Sequence, residues 1–167
     1  MSQNAYVSLG SNLGDRAGNL LLGVRGMMDA GLQVIRLSHV YETEAVETFS
    51  QPLFLNQVAE LNGATLPPAE TMMARLLRIE YALGRRREVE KGPRSLDLDL
   101  LLYPNHISDT PFLTLPHPRL HRRRFVLEPL AELARPLIHP ILNKTIGELL
   151  AEVEDASTVK LWKPDHS

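Results

Sequence analysis

The run Leu96-Asp97-Leu98-Asp99-Leu100 has the composition of a reactive strand. Side chains of an extended strand alternate between faces, so the leucines at 96, 98, 100 and 102 share one face and Asp97 and Asp99 share the other. Two residues of rise put the two aspartate Cα atoms about 6.6 Å apart. Bare carboxylates at that range repel by roughly 2–3 kcal/mol at an effective dielectric near 20. Water, arginines or a metal must screen them. Paired carboxylates are hard oxygen ligands of the kind Mg²⁺ takes; the plainer alternative is a solvated edge with two ordinary acids.

The flanks of this run are basic. Arg85-Arg86-Arg87 and Lys91-Gly92-Pro93-Arg94 precede it, and Pro116-His117-Pro118-Arg119 and Arg122-Arg123-Arg124 follow. Residues 85–94 and 119–124 hold nine of the eighteen Lys and Arg in a chain of formal net charge −2. Beside paired acids, such a patch suits a polyphosphate with bound Mg²⁺: metal on the acids, phosphate oxygens on the guanidinium forks. Taken alone, each basic run also fits a solvated surface. Phe54 and Asn56 are spaced by two and share a strand face opposite Leu55, Ala59 and Leu61. A ring to stack on and an amide to meet an edge are what a flat heterocycle needs, and Phe125 offers a second ring. Both phenylalanines suit a plain core equally well.

Elements must carry these side chains, and the chain has the means to build them. Its 167 residues, 44% hydrophobic and 23% charged, suit one soluble domain, which buries roughly 70% of its unfolded surface. There is no cysteine, which excludes disulfides, zinc–thiolate sites and thiol nucleophiles and fits a reducing compartment. No basic residue precedes Arg16, and no run of about 18 apolar residues occurs, so the expectation is a cytoplasmic protein without signal peptide or membrane contact. The charge balance excludes a generally basic nucleic-acid coat. There is no G-K-[ST] phosphate loop, Rossmann fingerprint or Ser-His-Asp elbow. His39, His106 and His139 read as structural or solvated.

Period-two and helical patterns predict strands at 5–9, 34–41, 54–61 and 96–103 and helices from 17 to Gly31 and from Pro67-Pro68 to Gly84. Asp15 is the expected N-cap of the first helix. Gly18, Gly23 and Gly26 each cost that helix about 1 kcal/mol relative to Ala. Residues 43–52 and 85–93 read as loops. The order β-α-β-β-α-β predicts an α+β fold of the ferredoxin-like kind, an antiparallel sheet with both helices on one face. Short helices at 126–134 and 145–153 are expected over part of the other face, and 155–167 as a loose tail, although Leu161-Trp162 offers a docking point.

Lys91-Gly-Pro-Arg-Ser-Leu-Asp-Leu-Asp-Leu-Leu101 closely resembles the signature of the 6-hydroxymethyl-7,8-dihydropterin pyrophosphokinase family. Val7-Ser-Leu-Gly-Ser-Asn-Leu-Gly-Asp15, Phe54-Leu-Asn56, Arg78-Ile-Glu80, Gly84-Arg85 and Leu115-Pro-His-Pro-Arg119 resemble its other landmarks in the same order. The resemblance implies an αβα sandwich and transfer of pyrophosphate from ATP to the hydroxymethyl group of the pterin in folate biosynthesis, releasing AMP. It implies that Asp97 and Asp99 bind two Mg²⁺ ions, with Asp97 near the substrate hydroxyl as a base or as an orienting group. Arg85, Arg87, Arg94 and Arg123 match phosphate contacts, with Arg85 and Arg94 in catalytic roles. Glu80, Lys91, His117 and the backbone at Leu100 match the nucleotide site. Phe54 and Phe125 match the rings that enclose the pterin, and Asn56 with the backbone from Thr43 to Val46 matches its edge contacts. Where members often carry a basic–aromatic pair this chain has only Lys91, and Pro118 stands where some have an aromatic. The expected partners are the small-molecule pterin and ATP, with no nucleic acid and the protein a monomer, and 167 residues leave no room for a fused folate enzyme. The rival readings are an RNA-binding sheet, disfavoured by the acids on the same face, and a catalytically silent relative, disfavoured by their retention.

Overall fold

The computed structural model describes residues 3–43, 53–83 and 95–164. Its elements are β1 (Ala5–Ser11), α1 (Arg16–Asp29), β2 (Val34–Leu37), β3 (Tyr41–Thr43), β4 (Phe54–Leu61), α2 (Ala69–Ala82), β5 (Asp97–Leu102), β6 (Ser108–Asp109), β7 (Thr114–Leu115), α3 (Arg124–Ala134), α4 (Ile146–Glu152) and β8 (Val159–Leu161). The main sheet runs β5-β1-β4, with β2 and β3 both paired to the outer side of β4 and β8 beyond β3. Every pairing is antiparallel. β6 and β7 form a separate small hairpin.

One face of the sheet packs against α1 and α2. Val7, Leu9, Leu55, Ala59, Leu61, Leu98 and Leu100 meet Leu20, Met27, Met72 and Leu76 there. The glycines of α1 permit this closeness. A Cβ at Gly23 would lie 3.1 Å from Leu9 and Leu96, and one at Gly26 would lie 2.8 Å from Ile79. Their helix-propensity cost thus accompanies tight packing of α1 on the sheet and on α2. Asp15 caps α1 as expected, accepting the Gly18 N–H at 3.1 Å. On the other face α3 and α4 cover Tyr6, Val58, Leu101 and Leu102. α4 opens with a reciprocal cap between Thr145 and Glu148. The result is an antiparallel sheet between two helical layers.

Three expectations are corrected. The stretch 34–41 is two strands, because Ser38 interrupts it. The Ser38 Oγ accepts the Val58 N–H at 2.9 Å and donates to the His39 carbonyl at 2.8 Å. The pairing passes from Leu37↔Ala59 to Tyr41↔Asn56, so one extra residue is accommodated between them. Leu102 does not share the face of Leu96, Leu98 and Leu100. The register jumps from Val7↔Leu100 to Tyr6↔Leu102, and the extra Leu101 turns Leu102 to the α3 side. Residues 155–164 are not a loose tail: β8 completes the edge beside β3, Trp162 N–H donates to the Val40 carbonyl at 2.9 Å, and Asp155 accepts the Arg124 N–H at 3.0 Å. An unpaired β3 edge supplies the reason, since its backbone groups need partners.

Glu60 holds the far end of the sheet. It is only 5% exposed, yet takes hydrogen bonds from Asn4 (3.0 Å), Tyr6 (2.7 Å) and Arg36 (2.6 Å). Arg36 also donates to the Leu133 carbonyl of α3. Burial works to raise the Glu60 carboxyl, but the hydrogen bonds from Asn4, Tyr6 and Arg36 outweigh it and hold it below its ordinary value. Its stabilising contribution is therefore complete above the ordinary carboxylate range and lost as pH falls through the lowered value. Glu60→Gln is expected to cost about 2–3 kcal/mol at neutral pH in urea unfolding. Stability of the variant should fall less steeply than that of the parent as the solution is acidified; parallel acid limbs would contradict this role.

Candidate active site

Pairing across three strands sets out the site in rows. Gly10 of β1 stands opposite Asp97 on one side and Asn56 on the other, and Tyr41 continues the row. The next row is Asp99, Ser8 and Val58, and the one after it Leu102, Tyr6 and Glu60. Paired residues share a face, so Asp97, Asp99 and Asn56 lie on the face whose farther rows α3 and α4 cover. Both aspartates are partly exposed while their neighbours Leu98 and Leu100 are buried, as the alternation requires.

Gly10 gives the first row its shape. A Cβ there would come within 3.2 Å of Asn56 Oδ1 and 3.6 Å of the Phe54 ring. The glycine thus forms a bare floor between a carboxylate and an amide about two strand spacings, or roughly 10 Å, apart. Asn56 is 3% exposed and its Nδ2 donates to Thr43 Oγ1 at 2.9 Å. That bond orients the amide and leaves Oδ1 on the Gly10 side. Phe54, half-buried, begins the same strand opposite Thr43. Thr43, Phe54 and Asn56 are therefore brought together. The first strand predicted from the sequence ends at Leu9, with a turn opening at Gly10, but β1 runs on to Ser11, and a glycine inside a strand is a sign of close approach.

The acids are held from behind by Glu80. This residue of α2 is 2% exposed, and its Oε2 accepts the Leu98 N–H, between the two aspartates, at 2.7 Å. β5 is the edge of the sheet, so this carboxylate satisfies a strand-edge donor. The spacing 76 to 80 on α2 put Glu80 on the buried stripe, a readable sign that it needed a partner. Leu100 contributes its side chain to the core, 3% exposed, which leaves only its backbone for any ligand.

The basic side is anchored by the segment after β7. His117 N–H donates to the Leu101 carbonyl at 2.9 Å, placing this residue alongside β5. Its Nδ1 accepts the Arg119 N–H at 3.1 Å, so the neutral ring carries its proton on Nε2. Burial, then Arg123 and Arg119, push the imidazole down to about 4 against the opposing pull of Asp97. His117 is thus a neutral donor in the field of Asp97, Arg119 and Arg123. The Arg123 guanidinium lies 5.5 Å from the centre of the Phe125 ring, covering one of its faces. A ligand stacked on Phe125 must use the other face or move Arg123. Val46, Arg85, Arg87, Lys91 and Arg94 lie outside the described residues.

Among the described residues there is no cluster of three or more His, Cys, Asp or Glu arranged to hold a metal. Asp97 and Asp99 supply two carboxylates on one face, next to a glycine and a serine of β1. That set fits Mg²⁺, which binds through one or two carboxylates and completes its shell with phosphate oxygens and water. It does not fit a site built wholly from protein. Nor is any helix among the described residues long and apolar enough to cross a membrane. His39 is exposed and bonded to Glu132 at 2.9 Å, and buried His139 accepts the Leu142 N–H at 3.0 Å, roles consistent with structure or solvent contact.

The sequence matches the family model for 7,8-dihydro-6-hydroxymethylpterin-pyrophosphokinase over residues 6–135. It is 38% identical over 164 residues to a 2-amino-4-hydroxy-6-hydroxymethyldihydropteridine pyrophosphokinase of Bacillus subtilis, spanning 98% of this chain and 92% of that protein. The Aquifex aeolicus protein of the same name is 35% identical, over 88% of this chain and 90% of its own length. The folic acid synthesis protein fol1 of Pneumocystis carinii is also 35% identical over 92% of this chain, which spans only 20% of that longer protein. In structure, the chain resembles the HPPK-DHPS of Plasmodium falciparum with a TM-score of 0.67 at 14% identity, over 89% of this chain and 43% of that one.

If Glu80 holds β5 in place, Glu80→Ala leaves the buried Leu98 N–H without that acceptor and costs at least about 1–3 kcal/mol. Glu80→Gln retains a carbonyl oxygen at the same distance and should recover part of the loss. Chemical denaturation of both variants checks this; equal losses would mean the Leu98 bond contributes nothing.

Proposed function

The chain belongs to the 7,8-dihydro-6-hydroxymethylpterin-pyrophosphokinase family and is a transferase of folate biosynthesis; we propose that the row Asp97–Gly10–Asn56 is where its pterin and the triphosphate of ATP meet. The fold is of the ferredoxin-like kind in this reading, because the two β-α-β halves give the strand order β5-β1-β4 with the β2–β3 segment outermost. Residues 1–167 act as one pyrophosphokinase domain.

The carrying observation is the row itself. A flat bicyclic ring laid over the Gly10 floor can turn one edge to Asn56 and its hydroxymethyl substituent toward Asp97. Phe54 supplies one stacking surface and Phe125 the other. Asn56 Oδ1 accepts an N–H from the ring edge, and Thr43, which already holds the amide, fixes its direction. The backbone near Val46 adds further edge contacts.

Asp97 and Asp99 would hold Mg²⁺, two ions in this reading, which when bound neutralises charge on the phosphates and polarises the phosphorus under attack. Asp97 is the acid on the pterin row, so it orients the hydroxyl. The hydroxyl oxygen forms a bond to the β-phosphorus, the bond from that phosphorus to the oxygen bridging to the α-phosphate breaks, and AMP leaves. The hydroxyl proton passes out of the site. Fixing oxygen and phosphorus in line supplies much of the acceleration, since little else must be done covalently. His117, neutral and with its Nε2 proton free of Arg119, donates to the nucleotide without adding charge. Arg123, with Arg85, Arg87, Arg94 and Lys91, carries the phosphate charge. Glu80 serves the nucleotide side through β5, and the Leu100 backbone meets the adenine. The substrates are two small molecules, and the protein works as a monomer in the cytoplasm.

With ATP, Mg²⁺ and the reduced hydroxymethylpterin, the protein should release AMP in one-to-one ratio with the pterin diphosphate. ADP as the sole nucleotide product would reject pyrophosphoryl transfer. Asp97→Ala and Asp99→Ala should each lower kcat by about 100-fold or more while circular dichroism and melting stay close to the parent. Parent-like turnover in both would remove the acids from the site.

A further inference from the structure

Arg16 is the first residue of α1, and its Nη1 donates both to Glu42 Oε2 at 2.7 Å and to the Leu53 carbonyl at 2.8 Å. Glu42 lies in β3 and Leu53 immediately precedes β4. The next residue on each strand is a proposed pterin contact: Thr43 after Glu42, and Phe54 after Leu53. Those two are cross-strand partners. One guanidinium therefore joins the ends of both strands that carry the pterin contacts. The same helix turn also holds β1. Asn19 Nδ2 donates to Ser11 Oγ at 3.2 Å and to the Leu13 carbonyl at 2.9 Å, and Ser11 directly follows Gly10.

We infer that Arg16 is a positioning residue for the pterin subsite, acting through Glu42 and Leu53 to set Thr43, Phe54 and Asn56 against the Gly10 floor; this deepens the proposed function and rests on it. A stability role alone is a poor account of these contacts. The Arg16 and Glu42 side chains are 26% and 30% exposed, and ion pairs near the surface contribute only about 0–1 kcal/mol. Their geometric effect is larger, because misplacing a contact by about 1 Å can cost 100-fold in rate or binding. Lysine is a partial replacement: its ammonium can also meet two oxygens, but it lacks the planar guanidinium that fixes the direction of the two Nη1 bonds. The described nucleotide-side residue His117 is held to Leu101 of β5, on the other side of β1 from Glu42 and Leu53, so ATP binding is expected to be indifferent to Arg16.

Steady-state kinetics with each substrate varied separately tests the inference, using the parent, Arg16→Gln, Arg16→Lys and the double variant Arg16→Gln with Glu42→Ala. Arg16→Gln should raise the pterin KM about tenfold, with kcat within about threefold and the ATP KM within about twofold. Arg16→Lys should fall between it and the parent. The double variant should be no worse than Arg16→Gln alone, because Glu42 acts through the same guanidinium. Melting temperatures should drop by only a few degrees. Equal rises in both KM values, or no rise in the pterin KM, would overturn the positioning role. A parent protein that turns over no pterin would instead overturn the functional reading, and the subsite assignment with it.

Discussion

Two carboxylates fixed on the same side of one strand repel each other, and the described residues around Asp97 and Asp99 hold them there regardless. Hydrogen bonding to β1 sets their register against Gly10 and Ser8. The leucines that alternate with them are anchored in the core beneath α1 and α2. Glu80 takes the strand-edge N–H that lies between them. A strand so held cannot turn these carboxylates into the core, so their charge is met on the opposite face. In the proposed reading, a triphosphate with divalent cations would meet it.

The same sheet brings the proposed pterin contacts to that charge. Because β1 lies between β5 and β4, a single glycine separates the acid from the amide. α3 and α4 cover the rows beyond and leave this end of the face open, while α3 begins with the Arg123–Phe125 pair. The far end of the sheet, closed by the Glu60 network, contributes rigidity rather than chemistry. One end of this sheet face is thus packed, and the proposed site lies at the other.

Much of this was legible in the residues. Strand β4 has the bounds 54–61 that its alternation predicts, and the opposition of Asp97 and Asp99 to Leu96, Leu98 and Leu100 follows from period two alone. The shared face of Phe54 and Asn56 followed in the same way. What escaped depended on partners distant in sequence. Ser38 breaks an apolar run only because Val58 offers a backbone N–H to its hydroxyl. Leu102 changes face because β1 skips Leu101. β8 is three residues long and has no pattern of its own; it exists because β3 leaves an edge. Glu80 and Arg16 were visible as residue types, but the groups they hold, Leu98 N–H and the Glu42–Leu53 pair, are not encoded by spacing.

The most direct measurement is a crystal structure of the protein with Mg²⁺, a non-hydrolysable ATP analogue and the hydroxymethylpterin. Metal density is expected about 2.1 Å from carboxylate oxygens of both Asp97 and Asp99, beside the phosphates, with the pterin lying over Gly10 and its edge on Asn56. Metal and phosphates bound elsewhere, with the two aspartates turned to bulk water, would contradict it.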